Sequence, residues 1–432
     1  MQIYFFLLAY GGKDMEIYSY TKSTNFYGNT NPKRLVEKYG SPLYVYNENI
    51  LRERCGEMAK LVTYPRFRAY YSAKANSNIH LLRIIHEEGL HADAISPGEI
   101  IFLEKAGFKP HEIFYIANNV SPGEMEFAIE RGVTVSVDSL SQLEQYGALN
   151  PGGKVAVRIN PGIGAGHNEK VMTAGNNTKF GIYPDLIPEI KRILRKHNLK
   201  LVGINQHIGS LFMESMPYIE AAKTLLSIAE NFDGLEFIDF GGGFGIPYRK
   251  QEGEGRLDLK ALGEQLDEII GSWTAKHGIY PTFQIEPGRY VVAECGVLLG
   301  TVYAVKAGYR TTYVGTDLGF NVLMRPAMYN SHHDVEVYDE NGLPIRSGQY
   351  RDTTVVGNIC ESGDIIAKNR PLPIIKEGYM LGIMDAGAYG YSMASTYNNR
   401  LRPAEVLIDR NGNDMLIRRR ETFDDLLSTF NF

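Results

Sequence analysis

The chain has 432 residues, 44% of them hydrophobic and 22% charged, with a formal net charge of -5. This composition excludes a disordered chain, and with its basic residues dispersed it offers no bulk attraction to nucleic acid or anionic membrane. Cys55, Cys295 and Cys360 lie far apart, with no CxxC pair or metal-spaced histidine, which argues against a disulfide framework or a metal site and for a reducing, cytoplasmic setting.

The opening run IYFFLLAY is far shorter than the roughly twenty residues that span a bilayer. It also lacks the basic flank and cleavage site of a signal peptide. Residues 1–14 are therefore expected to be an upstream extension, with the native start at Met15 and a short ordered strand as the alternative. Residues 15–46 follow as an N-terminal segment in which PLYVYN is a strand available to a β-rich domain.

From Arg68 onward, short β-forming runs alternate with amphipathic stretches, the pattern of a parallel sheet. The strand candidates are RAYYSAKA, HADAI, IFYIAN, TVSVD, KVAVRIN, LVGINQHI, LEFIDF and TFQIE. The stretches between them, such as NIHLLRIIHEEG, IPEIKRILRKHN and LKALGEQLDEIIGSW, place apolar residues three and four apart. Several begin after Ser or Asp and stop near Gly or Asn, as capped helices do. Eight such units predict a (β/α)8 barrel over residues 47–290, with a doubly wound open sheet as the competing architecture. Past Val291 the helical period fades. TVYAVKAGY, TTYVGTD, DVEVYD, TTVVGNIC, YMLGIMDAG and AEVLID predict a β-rich domain over residues 291–432.

In such barrels functional side chains project from the C-terminal ends of the strands. The polar residues at those ends are Lys74, Asp93, Asn118, Asp138, Arg158, His207, the GGGFG of 241–245, and Glu286. In YYSAKANSN the β-forming run reaches Lys74 and then breaks into small polar residues. A lysine there either snorkels to the rim or, partly desolvated, attacks a carbonyl as the free amine. The glycines after the seventh strand let backbone N–H groups approach an anion, although tight turns use glycine too. Without GxGxxG or a P-loop, a monophosphate is a better guess than a nucleotide. Glu286, in QIEPGRY, reads either as an ion-pair partner of Arg289 or as the carboxylate that keeps a ring nitrogen protonated. Lysine, glycine cradle and carboxylate together meet three demands of pyridoxal 5'-phosphate (PLP). His207 is either a core histidine or a flat ring for stacking on a cofactor. Chemistry alone leaves Arg325, Tyr329, Cys360 and Glu361 as core, turn or site residues.

YYSAKAN, HIGS, GGGFG, EPGR, LMRPAMY, CESGD and GAYGYSMASTYN occur in the order found in the fold-type III PLP-dependent decarboxylases, which the chain resembles from about Pro42 to Ile408. GGGFG is widespread, whereas EPGR with CESGD and GAYGYSM is specific. The resemblance implies an alanine-racemase-like barrel, a C-terminal β domain, and a homodimer with active sites shared across its interface. It implies that Lys74 bonds PLP as a Schiff base and that His207 stacks on the ring. Asp93, Arg158, Ser210, Gly241, Gly242, Gly243, Gly288, Arg289 and Tyr389 would belong to the cofactor site, with Glu286 on the pyridine nitrogen. Arg289, Arg325, Tyr329 and Tyr389 would serve the substrate. Cys360 would come from the partner as proton donor, with Lys74 as the alternative donor, and Glu361 would read the distal ammonium. The implied reaction is decarboxylation of meso-2,6-diaminopimelate to L-lysine. L-ornithine, L-arginine and carboxynorspermidine are the alternative substrates, and a catalytically silent PLP-binding relative is the rival outside catalysis. Leu211 and Pro97 depart from the family pattern, which commonly has Gln and Gly there.

Overall fold

The computed structural model describes residues 18–162 and 178–431. The opening apolar run and the expected extension of residues 1–14 lie outside them. The chain divides into two compact units. One comprises Leu51–Ile246 and Arg256–Val291; the other comprises the residues up to Ile50, Pro247–Gly255, and the chain from Val292 on.

The first unit is the barrel. After β1 (Leu43–Asn47) come β2 (Phe67–Ser72), β3 (His91–Ala94), β4 (Ile113–Ile116), β5 (Thr134–Val137), β6 (Lys154–Arg158), β7 (Lys200–Asn205), β8 (Phe237–Asp239) and β9 (Thr282–Ile285). Strands β2 to β9 pair in parallel in chain order, and β9 returns to β2 with Phe67 opposite Phe283. Closure removes the open-sheet alternative. These strands read as near-continuous apolar runs because both faces are covered. Tyr70, Phe114, Ile116, Ala156, Val202 and Phe237 form one buried cluster. Gly203 leaves room for this packing, since a Cβ there would lie 2.2 Å from the Phe237 ring.

Several strands stop earlier than their sequence pattern suggested, and two of them carry site residues out of the sheet. RAYYSAKA leaves the sheet at Ser72 and turns through a single 3-10 turn, Ala73–Ala75, so Lys74 stands on a turn. LVGINQHI ends at Asn205, leaving His207 on the following loop.

The outer helices start where short polar side chains cap them. Asn78, Ser96, Ser121, Ser139 and Asp258 each accept a backbone N–H from the first turn, a bond worth about 1 kcal/mol per cap. The Pro97 departure is explained here: it is the first residue of the helix Pro97–Ala106, behind the Ser96 cap. Its fixed φ suits that position and its missing N–H costs nothing there. Leu211 adopts φ +67, a left-handed conformation unusual for a branched side chain.

The second unit is β-rich. It holds β1 and β10 (Gly296–Ala307), β11 (Thr312–Thr316), β12 (Val335–Tyr338), β13 (Tyr350–Val356), β14 (Ile365–Pro373), β15 (Met380–Ile383), β16 (Ala404–Ile408) and β17 (Asp414–Arg418). The sheet runs β14-β13-β11-β10-β1-β16-β17, with β15 joining β10 and β12. Strand β1, in PLYVYN, sits between β10 and β16 and is fully buried. The stretch Pro247–Gly255, which falls within the barrel's span in sequence, groups with this unit. Lys250 anchors it there by pairing with Asp385 and Glu294.

Candidate active site

The C-terminal mouth of the barrel gathers a set of charges taken almost out of water. Lys74, half-buried on the turn after β2, acts electrostatically on Asp93, Glu286 and His207. Asp93, at the end region of β3, is fully buried and accepts the Ser72 hydroxyl at 2.5 Å. Burial raises its carboxyl above the usual range, while Lys74, the Ser72 bond and Arg158 pull it back. Arg158 ends β6, is buried, and lies over the Phe180 ring at 4.5 Å. Burial lowers its guanidinium's proton affinity, and Glu286, Asp138, Asp93 and Asp239 oppose that. Asn118 and Asp138 hydrogen-bond each other, and Asp138 also feels the Arg158 charge.

Glu286 follows β9 and is buried. Burial first, then the charges of Asp239 and Asp93, holds its carboxyl well above the usual range against Lys74 and Arg158. Its chemistry suits a carboxylate waiting for a cation, because a buried anion is favoured only when such a partner arrives.

His207 accepts the Gly242 N–H at Nδ1, 3.1 Å away. A ring nitrogen that accepts carries no proton, so this bond selects the neutral tautomer protonated at Nε2. Burial and the positive charges of Lys74 and Arg158 depress its proton affinity in the same direction.

The glycines form a backbone cradle with no space for side chains. A Cβ on Gly241 would lie 2.1 Å from the Gln206 carbonyl oxygen, and one on Gly242 would lie 2.0 Å from that of Glu286. Gly243, at φ +110, would clash with the Gly209 carbonyl at 2.6 Å. Arg289, buried at the start of the short helix Arg289–Val292, donates to Ser210 Oγ at 2.8 Å. The guanidinium thus reaches the HIGS loop. Gly288 packs close to Ser72 and Ala75, where a Cβ would lie 3.0 and 3.3 Å from theirs, and so supports the Lys74 turn. An amine, a hydroxyl with an arginine, a side-chain-free loop and a buried carboxyl fit the aldehyde, phosphate and ring nitrogen of PLP.

Asp239 is the site residue that the sequence reading passed over. It ends β8, is fully buried, accepts the Gly241 N–H at 2.7 Å and acts electrostatically on the Glu286 carboxyl. Its strand-end position was the available signal, obscured by the adjoining glycines. Burial pushes it up to about 7 from an ordinary 3.8. The folded chain thus keeps this proton longer than the unfolded chain, so its stabilising contribution is full below about pH 4 and is lost as the pH climbs through 7. The cofactor-free protein is expected to melt at a lower temperature at pH 7 than at pH 5, and Asp239→Asn should lessen that difference. Identical pH slopes for the two proteins would remove Asp239 from the account.

The β-rich unit holds the other residues singled out in the sequence. Arg325 is almost fully buried, 2.7 Å from His333 Nε2 and 4.5 Å from the Tyr248 ring, at the head of the short helix Arg325–Tyr329. Tyr329 is half-buried at the end of that helix, and Tyr389 is half-buried with φ +55. Cys360 and Glu361 are exposed on one turn. Buried Asp364 fixes that turn by accepting the Ile359 and Phe320 N–H groups at 2.8 and 2.7 Å. The Cys360 N–H reaches Asn398 Oδ1 at 3.1 Å, and Tyr397 donates to Glu361 at 2.5 Å.

A barrel of this closure, with a lysine turn, a glycine cradle and a buried carboxyl at one mouth, fits a PLP-binding enzyme. Residues 48–293 match the family model described as "Pyridoxal-dependent decarboxylase, pyridoxal binding domain". The chain belongs to the pyridoxal-dependent decarboxylase family. Its relatives include the diaminopimelate decarboxylase of Methanothermobacter thermautotrophicus, 42% identical over 93% of this chain and 94% of that one. The Escherichia coli diaminopimelate decarboxylase is 36% identical over 91% and 95%. Among solved structures, a diaminopimelate decarboxylase superposes with a TM-score of 0.86 at 34% identity, covering 93% of this chain and 98% of that one. The Helicobacter pylori diaminopimelate decarboxylase complexed with L-lysine gives 0.84 at 29% identity, covering 92% and 98%. Among the described residues no His, Cys, Asp and Glu group could hold a metal ion, and no helix is long and apolar enough to cross a membrane.

Proposed function

We infer that the protein catalyses the PLP-dependent decarboxylation of meso-2,6-diaminopimelate to L-lysine and carbon dioxide. The observation that carries this reading is the presence of both Lys74 and the buried Glu286, which feels its charge, in the mouth of a barrel whose relatives are diaminopimelate decarboxylases. When bound, PLP supplies an electron sink for the pair of electrons left by departing carbon dioxide.

The chain's own groups hold and steer. Lys74 would be the residue that holds the cofactor, through its aldehyde group. Ser210, Gly241 to Gly243 and Arg289 would hold the phosphate, Asp93 and Arg158 would balance charge in the same barrel mouth, and the family resemblance assigns Tyr389 to the cofactor as well. Glu286 would hold a proton on the ring nitrogen, its carboxyl feeling the charge of Asp239. Neutral His207 offers a flat face without adding charge. Arg289, Arg325 and Tyr329 hold substrate carboxylate, for which a guanidinium fork is better suited than an ammonium. Cys360 of the partner subunit returns a proton to the substrate carbon, with Lys74 as the alternative donor. The partner's Glu361 reads the distal ammonium. The working assembly is a homodimer, and a cytoplasmic setting suits an exposed Cys360 that must stay reduced.

The test is product analysis. The PLP-loaded protein is incubated separately with meso-diaminopimelate, L-ornithine, L-arginine and carboxynorspermidine, with carbon dioxide quantified and the amine identified by chiral chromatography. L-lysine from the meso substrate alone is the expected result. Carbon dioxide from one of the others instead would keep the cofactor and overturn the substrate.

A further inference from the structure

Two loops at the barrel mouth are bonded to each other along their length, and every residue involved belongs to the barrel unit. The chain at 209–213, which carries Ser210, runs beside the glycine loop at 241–245. The Phe212 N–H donates to the Gly243 carbonyl and the Gly245 N–H donates back to the Phe212 carbonyl, each at 3.0 Å. Gly243 permits this approach, since a Cβ there would lie 2.6 Å from the Gly209 carbonyl oxygen and 3.2 Å from the Phe212 ring. On the other loop Ser210 accepts the Arg289 guanidinium, and next to it Leu211 is held at φ +67, a conformation that a branched side chain keeps only when its surroundings impose it.

The glycine loop is also fixed at its first residue. The Gly241 N–H donates to Asp239 at 2.7 Å, and the Gly241 carbonyl oxygen accepts both the Glu286 N–H at 3.0 Å and the Tyr218 hydroxyl at 2.8 Å. The Gly242 N–H is taken by His207. Gly241 and Gly242 thus give the loop its shape, and the N–H groups it offers to an anion come from Gly243 onward, where the loop adjoins Gly209 and Ser210.

Tyr218 joins these two fixed points. It is the third residue of the helix Met216–Ala229 and is fully buried. Its ring stacks on Phe212, with 4.9 Å between centroids and 23° between planes, and lies 5.2 Å from the ring of Phe244. The ring therefore backs the paired loops while the hydroxyl anchors Gly241. Burial, then the charges of Asp239 and Glu286, pushes that hydroxyl well above its ordinary range, so it stays a donor. Phenylalanine would meet the demands of packing alone, and a buried hydroxyl is costly unless its hydrogen bond is made.

We propose that Tyr218 is a positioning residue for the phosphate end of the site: through its bond to Gly241 and its stack on Phe212 it holds the glycine loop against the Ser210 loop. The inference rests on the PLP reading above and deepens it, by assigning what keeps the phosphate-binding loops in register.

The discriminating probes are PLP, pyridoxal and inorganic phosphate. The full-length protein is purified as holoenzyme, stripped of cofactor, and titrated with PLP and with pyridoxal while the lysine-dependent visible absorbance is followed. Inorganic phosphate is then titrated as a competitor of PLP. Tyr218→Phe removes the hydroxyl and keeps the ring; it should raise the Kd for PLP about three- to tenfold, the factor one hydrogen bond carries, and that for pyridoxal by less than about 1.5-fold. The inhibition constant of phosphate should rise by a factor similar to that for PLP. Tyr218→Leu, which also removes the stack on Phe212, should widen the gap between PLP and pyridoxal further. Should neither variant fold, Phe244→Leu loosens the ring packing and leaves the hydroxyl, and a PLP-selective loss is again expected. A tyrosine that serves stability alone would lower the melting temperature of the cofactor-free protein and weaken both cofactors alike. Equal losses for PLP and pyridoxal, an unchanged PLP affinity in Tyr218→Phe, or an unchanged inhibition constant for phosphate would overturn the proposal. Wild-type protein that binds neither PLP nor pyridoxal would instead overturn the cofactor reading itself.

Discussion

Lys74→Ala is expected to abolish the visible absorbance of the PLP-loaded protein and to lower kcat/KM by at least about 10³-fold, while leaving the far-UV spectrum unchanged. Folding should survive because Lys74 is half-buried on a turn after β2 whose neighbours, Ala73 and Ala75, carry the packing. Lys74→Arg is the sharper control. It retains the positive charge that Asp93, Glu286 and His207 all feel, yet a guanidinium stays protonated and does not bond an aldehyde carbon. It should therefore be as inactive as the alanine variant. A visible band surviving in Lys74→Arg would mean that the cofactor is attached elsewhere, and the whole reading of the barrel mouth would fall.

Glu286→Gln is expected to lower kcat by about 10²- to 10⁴-fold, the range for loss of a positioned proton-holding group. The substitution keeps the shape but removes the charge that holds a proton on a ring nitrogen. Buried beside Asp239 and Asp93, Glu286 resists ionising alone; a cationic ring supplies the missing reason for it to do so. The amide cannot respond in that way. PLP occupancy should persist, because Lys74 and the glycine cradle are untouched. Wild-type kcat in saturated Glu286→Gln would assign the ring nitrogen's proton to another group.

Much of the barrel was legible in the sequence because parallel strands covered on both faces leave continuous apolar runs, as in IFYI and KVAVR. Lys74, Asp93, Arg158 and Glu286 were legible for a related reason. A charged residue that interrupts such a run at its C-terminal end stands out against the apolar background. Asp239 was not legible, since it stands one residue before three glycines and reads as part of their turn. The Arg289 to Ser210 bond was hidden because it joins positions 79 residues apart, a separation that carries no local periodicity. Lys250 was hidden differently. A lysine in RKQEGEG looks like a solvated charge run, and only the fold reveals that Asp385 and Glu294 surround it.

The turn that presents Cys360 and Glu361 owes its shape to Asp364 and to backbone bonds, including Glu361 N–H to Ile359 and Asp364 N–H to Glu361, at 2.8 and 3.0 Å. The pair takes part in that scaffolding mainly through backbone groups, with one side-chain bond from the Tyr397 hydroxyl to Glu361. The turn works like a socket, in which the residue beside the thiol can be exchanged at little cost to folding. With Cys360 as proton donor and Glu361 as reader of the distal group, as proposed above, selection could retune the second without disturbing the first, so that one scaffold can explore new amino-acid substrates.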